Sequence, residues 1–371
     1  MKLSIDRSAL LRALNHVQSV VERRNTIPIL SNVLMKAQDG VLSLSSTDMD
    51  LEINEAVAAN VTVDGATTAP AGTFHEIVRK LPDGSDVEVE LNAEGTQITV
   101  RSGRSKFKLS CLPVADFPEI STGDLPSGFS LPASDLRALI DRTKFAMSTE
   151  ETRYYLNGIY VHEADNDGVK VLRAVSTDGH RLARFEMPLP EGAAGMPAVI
   201  IPRKAVGEVR KLIEDAADLI QVTLSDNKIR FAFDHIILTS KLIDGTFPDY
   251  QRVIPQGNDK IVEIDPKVFS RAIDRVSTIS DGKSRALKIT LDGKQMTLSA
   301  SSPEAGSATE ELEVNGDASM DIGFNAKYLL DITSQIEGEG CRLTLADSAS
   351  PTIIQDNSDP SSLYVLMPLR V

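Results

Sequence analysis

Three stretches of the chain carry the same pattern, a short strand signal followed at once by a helix signal. They begin at Ile5, Leu131 and Ile264, and are therefore 126 and 133 residues apart. In the first of them Asp6 precedes apolar residues at helical spacing, as a helix N-cap does. A chain of 371 residues is long for one domain, since a domain has roughly 100 to 200 residues. The recurrence predicts three similar domains.

A second helix signal also occurs three times, at 72–80, 202–215 and 324–337. Segments such as 87–91 and 229–233 alternate apolar and polar residues, which is typical of antiparallel strands with one solvated face. We therefore expect an α+β fold in which each domain packs two helices on antiparallel sheets. Linkers rich in Gly, Pro and polar residues set the expected domain boundaries. The predicted domains are 1–121, 128–254 and 259–371.

The composition, 42% hydrophobic and 25% charged, is ordinary for a globular protein. No apolar run approaches the roughly 18 to 20 residues of a membrane helix, and the N-terminus has no apolar signal core. The two cysteines, Cys111 and Cys341, lie far apart with no Cys or His at metal-ligand spacing, so neither a disulfide framework nor a zinc site is expected. These features predict a cytoplasmic protein with reduced thiols.

The net charge of −14 is unevenly distributed along the chain. The six predicted helices carry 15 Lys or Arg against 11 Asp or Glu, so the remainder is strongly acidic. On α-helical spacing, Lys267, Arg271 and Arg275 form one basic face. Two interpretations are open: a basic inner layer within an acidic shell, or ordinary solvated helix faces. The predicted helices are 6–20, 72–80, 134–147, 202–215, 265–276 and 324–337.

The segment from Ser176 to Leu182 concentrates a hydroxyl, a carboxylate, an imidazole and a guanidinium. A hydrolase using Ser176, Asp178 and His180 is one hypothesis, but no nucleophile-elbow signature accompanies these residues. The segment Ser46-Thr47-Asp48 stands 130 positions earlier and starts in the same way. A repeated element favours a structural role for the turn, with residues 179–182 specialised in the middle repeat. No enzymatic activity is expected.

Four motifs in order resemble the bacterial sliding clamps, the β subunits of DNA polymerase III. They are Tyr154 to Gly158, Ser176 to Leu182, Phe247 to Val253 and Tyr364 to Arg370. The resemblance covers the whole length of the chain, including the threefold repeat.

The resemblance implies a head-to-tail homodimer whose six domains form a ring, with helices lining a channel that holds duplex DNA. It also implies partners: the polymerase III catalytic subunit, a clamp loader, and other replication and repair proteins with clamp-binding peptides. Retention on DNA would be topological and independent of sequence, because tight or base-specific contacts would stop sliding. Neither a cofactor nor a metal is implied, and no membrane is involved.

The resemblance further implies a partner-peptide pocket between the second and third domains. Apolar side chains would supply its floor for hydrophobic anchors, and Arg and His would offer polar contacts. Met367 would be an adaptable wall, although the terminal strand could equally be core. The matching residues are Leu156, Thr177, Gly179, His180, Arg181, Leu182, Pro248, Arg252, Val253, Asn325, Tyr328, Val365, Leu366, Met367, Pro368, Leu369 and Arg370.

Positions that face DNA in the family are matched by six residues, and an exposed tyrosine pair among them could stack on an unpaired base. The six are Arg24, Arg79, Tyr154, Tyr155, Arg203 and Lys204. Subunit-contact positions are matched by Phe107, Leu109 and Ile279. The chain departs from the family pattern at four positions. Gly72, Thr73 and Glu150 bear on DNA contact, and Thr278 bears on the subunit contact.

Overall fold

In the computed structural model of the protein, the described residues are 1–22, 26–121, 123–215, 219–280 and 285–370. Within them six α-helices form at the six predicted places. Asp6 caps the first helix as predicted, because its carboxylate accepts the backbone N–H groups of Ser8 and Ala9, both at 2.9 Å. The helices are α1 Arg7–Gln18, α2 Ala71–Lys80, α3 Ala133–Asp141, α4 Arg203–Leu212, α5 Pro266–Ser277 and α6 Ala326–Thr333.

Four helices end earlier than the sequence predicts, among them α1, which ends at Gln18 instead of 20. Helix α3 stops at Asp141 instead of 147, and a separate 3-10 turn follows at Lys144–Ala146. In between, the Thr143 hydroxyl donates to the Leu139 carbonyl at 2.6 Å, a local bond of the kind with which threonine competes against helix continuation. Helices α4 and α6 likewise end at Leu212 and Thr333, before the predicted 215 and 337.

Many of the strands alternate buried with more exposed residues, as the period of two in the sequence predicts. The first third of the chain forms β1 Lys2–Asp6, β2 Asn32–Gln38, β3 Val41–Thr47, β4 Leu51–Ala58, β5 Asn60–Val63, β6 Gly65–Pro70, β7 Asp86–Leu91, β8 Gln97–Ser102 and β9 Ser105–Ser110. The middle third forms β10 Ser127–Pro132, β11 Gly158–Asn166, β12 Val169–Thr177, β13 Arg181–Pro188, β14 Val199–Pro202, β15 Leu219–Leu224, β16 Lys228–Phe233 and β17 Ile236–Lys241. The last third forms β18 Lys260–Ile264, β19 Ala286–Asp292, β20 Gln295–Ser302, β21 Gly306–Glu313, β22 Asn315–Gly316, β23 Ser319–Asn325, β24 Cys341–Leu345, β25 Thr352–Asp356 and β26 Ser362–Leu366.

The described residues divide into two compact units, and each sheet lies within one of them. The first unit is Met1–Ser134 with Pro190–Pro197 and Lys204–Leu242. The second is Asp135–Leu189 with Ala198–Arg203 and Ile243–Val371. The strands of the middle repeat are therefore shared between the two units. The boundaries 1–121, 128–254 and 259–371 describe the three repeats in the sequence. That each repeat is a separate domain remains a prediction.

Sheet pairing explains this division of the first unit. A five-stranded sheet has the order β5-β1-β7-β8-β9, and an eight-stranded sheet the order β10-β15-β16-β17-β4-β3-β2-β6. Strand β17, the last of the middle repeat, pairs antiparallel with β4, the fourth strand of the first repeat. Because that ladder makes one continuous sheet, strands of two repeats belong to the same unit.

The second unit repeats this arrangement. Its nine-stranded sheet has the order β14-β11-β12-β13-β26-β25-β24-β18-β22, and its four-stranded sheet the order β21-β20-β19-β23. Strand β26, the last of the third repeat, pairs antiparallel with β13, the fourth strand of the middle repeat. The last strand of one repeat therefore joins the fourth strand of the preceding repeat in both units.

The helices bury one apolar face each against these sheets. In the first unit Leu10, Leu14 and Val17 of α1 are fully buried, and in the second Phe269 of α5 and Phe324 beside α6 are fully buried. Burying a side chain of this size stabilises the fold by about 1.5–3 kcal/mol. The opposite helix faces stay exposed and carry the charges. Within the described residues the six observed helices hold 13 Lys or Arg and 6 Asp or Glu, so they are more basic than the predicted ranges.

Candidate functional site

The turn between β12 and β13 carries the residues that first suggested chemistry. The Thr177 hydroxyl accepts the Gly179 N–H at 3.1 Å and donates to the Arg181 carbonyl at 2.7 Å. One oxygen of Asp178 accepts the N–H groups of His180 and Arg181 at 2.9 and 3.0 Å. Gly179 has φ +89°, a conformation that favours glycine. Thr177 and Asp178 thus shape the turn through their side chains.

The turn between β3 and β4 repeats three of these bonds, in agreement with the repeat seen in the sequence. The Thr47 hydroxyl accepts the Met49 N–H at 2.9 Å. One oxygen of Asp48 accepts the N–H groups of Asp50 and Leu51 at 2.9 and 2.7 Å. Met49 has φ +79°, at the position where the middle repeat has glycine. The turn is an element of the scaffold that occurs in both repeats.

Ser176, the nucleophile of the hydrolase hypothesis, is fully buried. Its hydroxyl donates to the backbone carbonyl of Thr143, just after α3. Ser46 donates in the same way to the carbonyl of Val17 in α1. Each serine ties a strand to the end of the first helix of its repeat, an arrangement that gives the hydroxyl a structural partner and no access to a substrate.

Arg181 is buried, and its guanidinium makes hydrogen bonds to three different residues. Its guanidinium bonds Asp331 of α6 at 2.5 Å, the Phe145 carbonyl at 2.6 Å and Asp178 at 3.1 Å. It also lies 4.3 Å from the centroid of the Tyr328 ring, as a cation–π pair does. Arg181 was predicted to contact a partner peptide. In the structure it links the turn to α6, and no sequence pattern points to Asp331 or Phe145 as its partners.

His180 is exposed on the turn, and its ring stacks on Tyr328 with the centroids 6.3 Å apart. Asn325 caps α6, because its side-chain oxygen accepts the Lys327 N–H at 2.9 Å. The structure therefore brings His180, Arg181 and Tyr328 together, and they line one surface depression.

An apolar cluster lies beneath the next part of the predicted pocket. Leu156, Leu182 and Val365 are buried in it together with Phe247 and Tyr250. The predicted residues Pro248, Arg252 and Val253 lie on the surface beside these two aromatic anchors, and 48% of Val253 is exposed. The segment from Phe247 to Val253 thus alternates buried aromatic residues with exposed residues.

The C-terminal segment is both core and surface. Val365 and Leu366 are buried in β26, whereas Met367 is 40% exposed. The segment then bonds to the β12–β13 turn and to β23. The N–H of Met367 donates to the His180 carbonyl at 2.9 Å, and the N–H of Leu369 donates to the Gly323 carbonyl at 2.8 Å. Beyond this point Pro368, Leu369 and Arg370 line a second depression with Lys260 and Met320.

Three of the basic residues predicted to contact DNA already have partners within the protein: Arg79, Arg203 and Lys204. The Arg79 guanidinium bonds both oxygens of Glu76, at 2.9 and 2.8 Å. Arg203 donates to the carbonyls of Met147 and Ser148, and burial lowers the pKa of its guanidinium. Tyr154 is exposed and meets Tyr155 edge to face at 5.7 Å, so a stacking surface is present. Arg24 lies outside the described residues.

Lys204 is the most constrained of these basic residues. Its ammonium bonds Asp48, and it lies 3.1 Å from Glu22 and 3.3 Å from the Val20 carbonyl. Burial lowers the pKa of Lys204, but the two carboxylates outweigh burial and the net pKa is raised. Lys204 is therefore charged, and its charge is already balanced.

The four residues that depart from the family pattern lie at the surface of the protein. A side chain at Gly72 would meet open space, and Thr73 is exposed on α2. Glu150 pairs with Arg153 at 3.0 Å, and Thr278 is exposed, its hydroxyl donating to the Asp274 carbonyl at 3.1 Å. None of the four disturbs the fold around it.

Among the described residues, no three His, Cys, Asp or Glu side chains are grouped to hold a metal ion. Within the same residues no helix has the length and apolar character needed to cross a membrane.

Comparison with known proteins assigns the class. Family models for the N-terminal, central and C-terminal domains of the DNA polymerase III beta subunit match residues 1–121, 130–249 and 251–370. The beta sliding clamp of Caulobacter vibrioides is 53% identical over 372 residues and that of Escherichia coli K12 is 39% identical over 373, in both cases over 100% of each chain.

Solved structures agree with these relatives. The Caulobacter crescentus beta sliding clamp superposes with a TM-score of 0.98 at 53% identity, covering 100% of this chain and 99% of the other. A DNA polymerase III subunit beta from Bartonella birtlesii, bound to griselimycin, superposes with a TM-score of 0.97 at 48% identity, covering 100% of both chains.

The chain has the fold of a DNA sliding clamp, a processivity factor of replication. It belongs to the DNA polymerase III β subunit family, the bacterial β sliding clamps.

Proposed function

We propose that two copies of the chain close head to tail into a ring around duplex DNA and tether replication proteins through the groove at the β12–β13 turn. The observation that carries this proposal is the pairing rule of the sheets. In both units the last strand of one repeat pairs with the fourth strand of the preceding repeat. Applying the rule once more pairs β9, the last strand of the first repeat, with β21, the fourth strand of the third.

Strands β9 and β21 each lie at the edge of a sheet. An unpaired edge is a template for another chain. Lys106 and Lys108 are exposed on β9, whereas Glu311 and Glu313 are exposed on β21. Opposite charges across a strand pair favour that pairing, and like charges disfavour β9 with β9 or β21 with β21. The charges therefore support a head-to-tail contact.

The apolar residues predicted at the subunit contact fit the same edge. Phe107 and Leu109 alternate with the two lysines along β9, so they point to the opposite side of the sheet. Ile279 is half-buried just after α5. Together they would supply the apolar part of the interface.

Basic helices suit a channel for DNA. The excess of Lys and Arg in the helices is offset by an acidic remainder, since the whole chain carries −14. Several of the basic groups are already paired with carboxylates or carbonyls. Such weakened contacts would attract the phosphate backbone without pinning the ring. Holding by topology then needs only a closed ring, and the cytoplasm is where such a ring would meet bacterial DNA.

The groove offers what a partner peptide needs. Val253 and Met367 expose apolar surface, and the buried Leu156, Leu182 and Val365 support this part of the groove from beneath. The exposed His180 and Arg252 add polar groups. Apolar anchors with polar contacts at the rim are the usual composition of a peptide site. The polymerase III catalytic subunit, the clamp loader and repair proteins are the proposed partners. Griselimycin-bound relatives from Bartonella birtlesii and Pseudomonas aeruginosa supply a chemical probe for this chain.

The decisive experiment compares circular with linear DNA. Labelled protein is loaded onto nicked circular DNA by a bacterial clamp loader with ATP, separated from free protein, and the DNA is then cut once. A ring held by topology stays on the circle and slides off the cut ends. Linear DNA with protein blocks at both ends is the control and should retain it. Equal retention on open linear DNA and on circles would overturn the topological mechanism.

A further inference from the structure

The short 3-10 turn Tyr250–Val253 carries two rim residues of the proposed groove, Arg252 and Val253. Its own backbone bonds are long: the N–H of Arg252 lies 3.4 Å from the Asp249 carbonyl, and that of Ile254 lies 3.4 Å from the Gln251 carbonyl. Arg252 also pairs with Asp249 at 2.8 Å, but both side chains are exposed, and such pairs contribute little. The turn therefore depends on side chains that reach into the protein.

Two aromatic side chains anchor the turn. Phe247 stacks on Tyr160 with ring centroids 4.8 Å apart and the planes within 6°. Tyr250 is 5% exposed and lies in the same apolar cluster as Leu182 and Val365. Phe247 fixes the entry to the segment, and Tyr250 fixes the turn itself.

The hydroxyl of Tyr250 sits in a directed chain of buried hydrogen bonds. Arg173 donates to it at 2.9 Å, and Nε2 of His162 lies 3.0 Å from it. Nδ1 of His162 is 2.7 Å from the Glu163 carbonyl, which only accepts, so Nδ1 carries the proton and Nε2 accepts from Tyr250. Each group thus has one role, and the tyrosine O–H can point in only one direction.

A buried ion pair fixes Arg173, the last member of this series of hydrogen bonds. Arg173 is 5% exposed and bonds Glu186 at 2.7 Å, while the second oxygen of Glu186 accepts from Asn166 at 2.9 Å. Arg184 lies 3.1 Å from Glu186 as well. The guanidinium that donates to Tyr250 is therefore fixed in place by β12 and β13, the strands that also form the His180 turn.

We infer that Tyr250 is a positioning residue for partner binding: its hydroxyl, held between Arg173 and His162, sets the turn that presents Arg252 and Val253 to the groove. This inference rests on the proposed peptide groove. It assigns the groove's affinity partly to a hydrogen-bond chain beneath it, whose members make no contact with the partner. Apolar packing alone would leave the tyrosine ring free to tilt, because hydrophobic contacts have no direction.

The test measures griselimycin binding by isothermal titration calorimetry to the intact protein and to Tyr250→Phe. We expect affinity to fall roughly fivefold, the effect of one buried hydrogen bond. Tyr160→Phe is the matched control, because it removes a hydroxyl from the same aromatic cluster without touching the chain of bonds, and it should bind normally. In a double-mutant cycle, Val253→Ala should weaken binding in the native background and much less in Tyr250→Phe. Additive effects in that cycle would contradict positioning.

A second pair of variants leaves the tyrosine in place in case Tyr250→Phe folds poorly. His162→Gln keeps an acceptor for the hydroxyl and should retain binding, whereas His162→Leu should lose it to the same extent as Tyr250→Phe. Equal binding by all variants would overturn the inference while leaving the groove intact. Failure of the native protein to bind griselimycin would overturn the proposed groove, and the inference with it.

Discussion

Asp48 binds Lys204 across 156 positions of the sequence. One oxygen of Asp48 accepts two N–H groups of its own turn, and the other binds the Lys204 ammonium. Asp178 divides its oxygens in the same way, between its turn and Arg181. The repeated turn therefore presents a carboxylate oxygen to a basic partner in both repeats, although the two partners come from different elements.

Releasing Lys204 should strengthen DNA contact. Asp48→Asn keeps the acceptor for the turn but removes one of the two carboxylate charges that balance Lys204. We expect tighter binding to duplex DNA at low salt, with the slope of log K against log salt steeper by about 0.9 for one added phosphate contact. Fluorescence anisotropy over a salt series measures this. Asp50→Asn, which frees Lys241 from an exposed pair at 2.9 Å, is the control for net charge, and an equal change in both variants would contradict a specific role for Lys204.

Removing the charge of Arg181 should destabilise the second unit. Arg181→Gln leaves Asp331 and Asp178 without their cation and empties the space between two aromatic rings. Breaking a buried pair costs about 3 kcal/mol. Urea unfolding followed by circular dichroism should show the corresponding transition at lower denaturant. Arg252→Gln removes a guanidinium whose side chain is 84% exposed and should shift the free energy of unfolding by less than about 1 kcal/mol.

Loss of the exposed imidazole should affect partner binding alone. His180→Ala removes the ring that stacks on Tyr328 but leaves the backbone bonds of the turn. We expect griselimycin to bind roughly three- to tenfold more weakly, in the range of one aromatic contact. Light scattering should still give the mass of a dimer, twice 40.2 kDa. Dissociation of the variant into monomers would contradict a role confined to the groove.

The subunit contact should respond to charge reversal. Replacing Lys106 and Lys108 with Glu places like charges opposite the β21 glutamates, and we expect monomers at micromolar concentration. Replacing Glu311 and Glu313 with Lys should do the same. Mixing the two variants makes both interfaces of the heterodimer complementary, one with the native charges and one with the charges exchanged, and should give heterodimers by light scattering. A dimer in each separate variant would rule out the β9–β21 pairing.

Acid should weaken the native state through His162. Burial lowers the pKa of this imidazole, and the positive charge of Arg173 adds to the effect, while the Glu163 carbonyl and the Glu186 carboxylate oppose it. The unfolded chain therefore takes up the proton first as the pH falls below about 6.5. The contribution of His162 to the free energy of unfolding should therefore be constant at higher pH and should decrease as the pH falls below about 6.5.

The variant His162→Gln tests that assignment, because glutamine does not titrate. Denaturant titrations at pH 5.5 and 7.5 should show a smaller difference in the variant than in the native protein. Some dependence should remain, since burial also lowers the pKa of His75. An unchanged difference would show that His162 does not titrate in this range.

Much of the local structure was predictable because it depends on neighbours in the chain. The cap at Asp6 forms as the sequence pattern indicates. Asp265 and Asn325 cap their helices in the same way, each side chain accepting N–H groups two and three residues on. The twin turns after Thr47 and Thr177 also depend only on adjacent residues. Helix ends were less predictable, because 3-10 turns compete with the last turn of a helix at small energetic cost.

For the proposed groove, the resemblance indicates candidate members but not the contact that each of them makes. Its residues were identified through the resemblance, but Arg181 and Leu182 are buried and support the surface from beneath. Phe247 stands 130 positions after Phe117, and both lie in apolar clusters. The hydrogen-bond chain of Tyr250 left no sign in the sequence, because its partners come from strands far away along the chain.

By itself the sequence determined a threefold repeat of helices and alternating strands, and a charge excess on the helices, because those properties follow from residue spacing. Only the tertiary structure decided which strands join one repeat to the next, and that Lys204 and Arg181 are balanced by Asp48 and Asp331. Such pairings depend on the register of a sheet and on residues 150 or more positions apart. Local propensity does not specify contacts over that distance, since they form only when the whole fold brings the partners together.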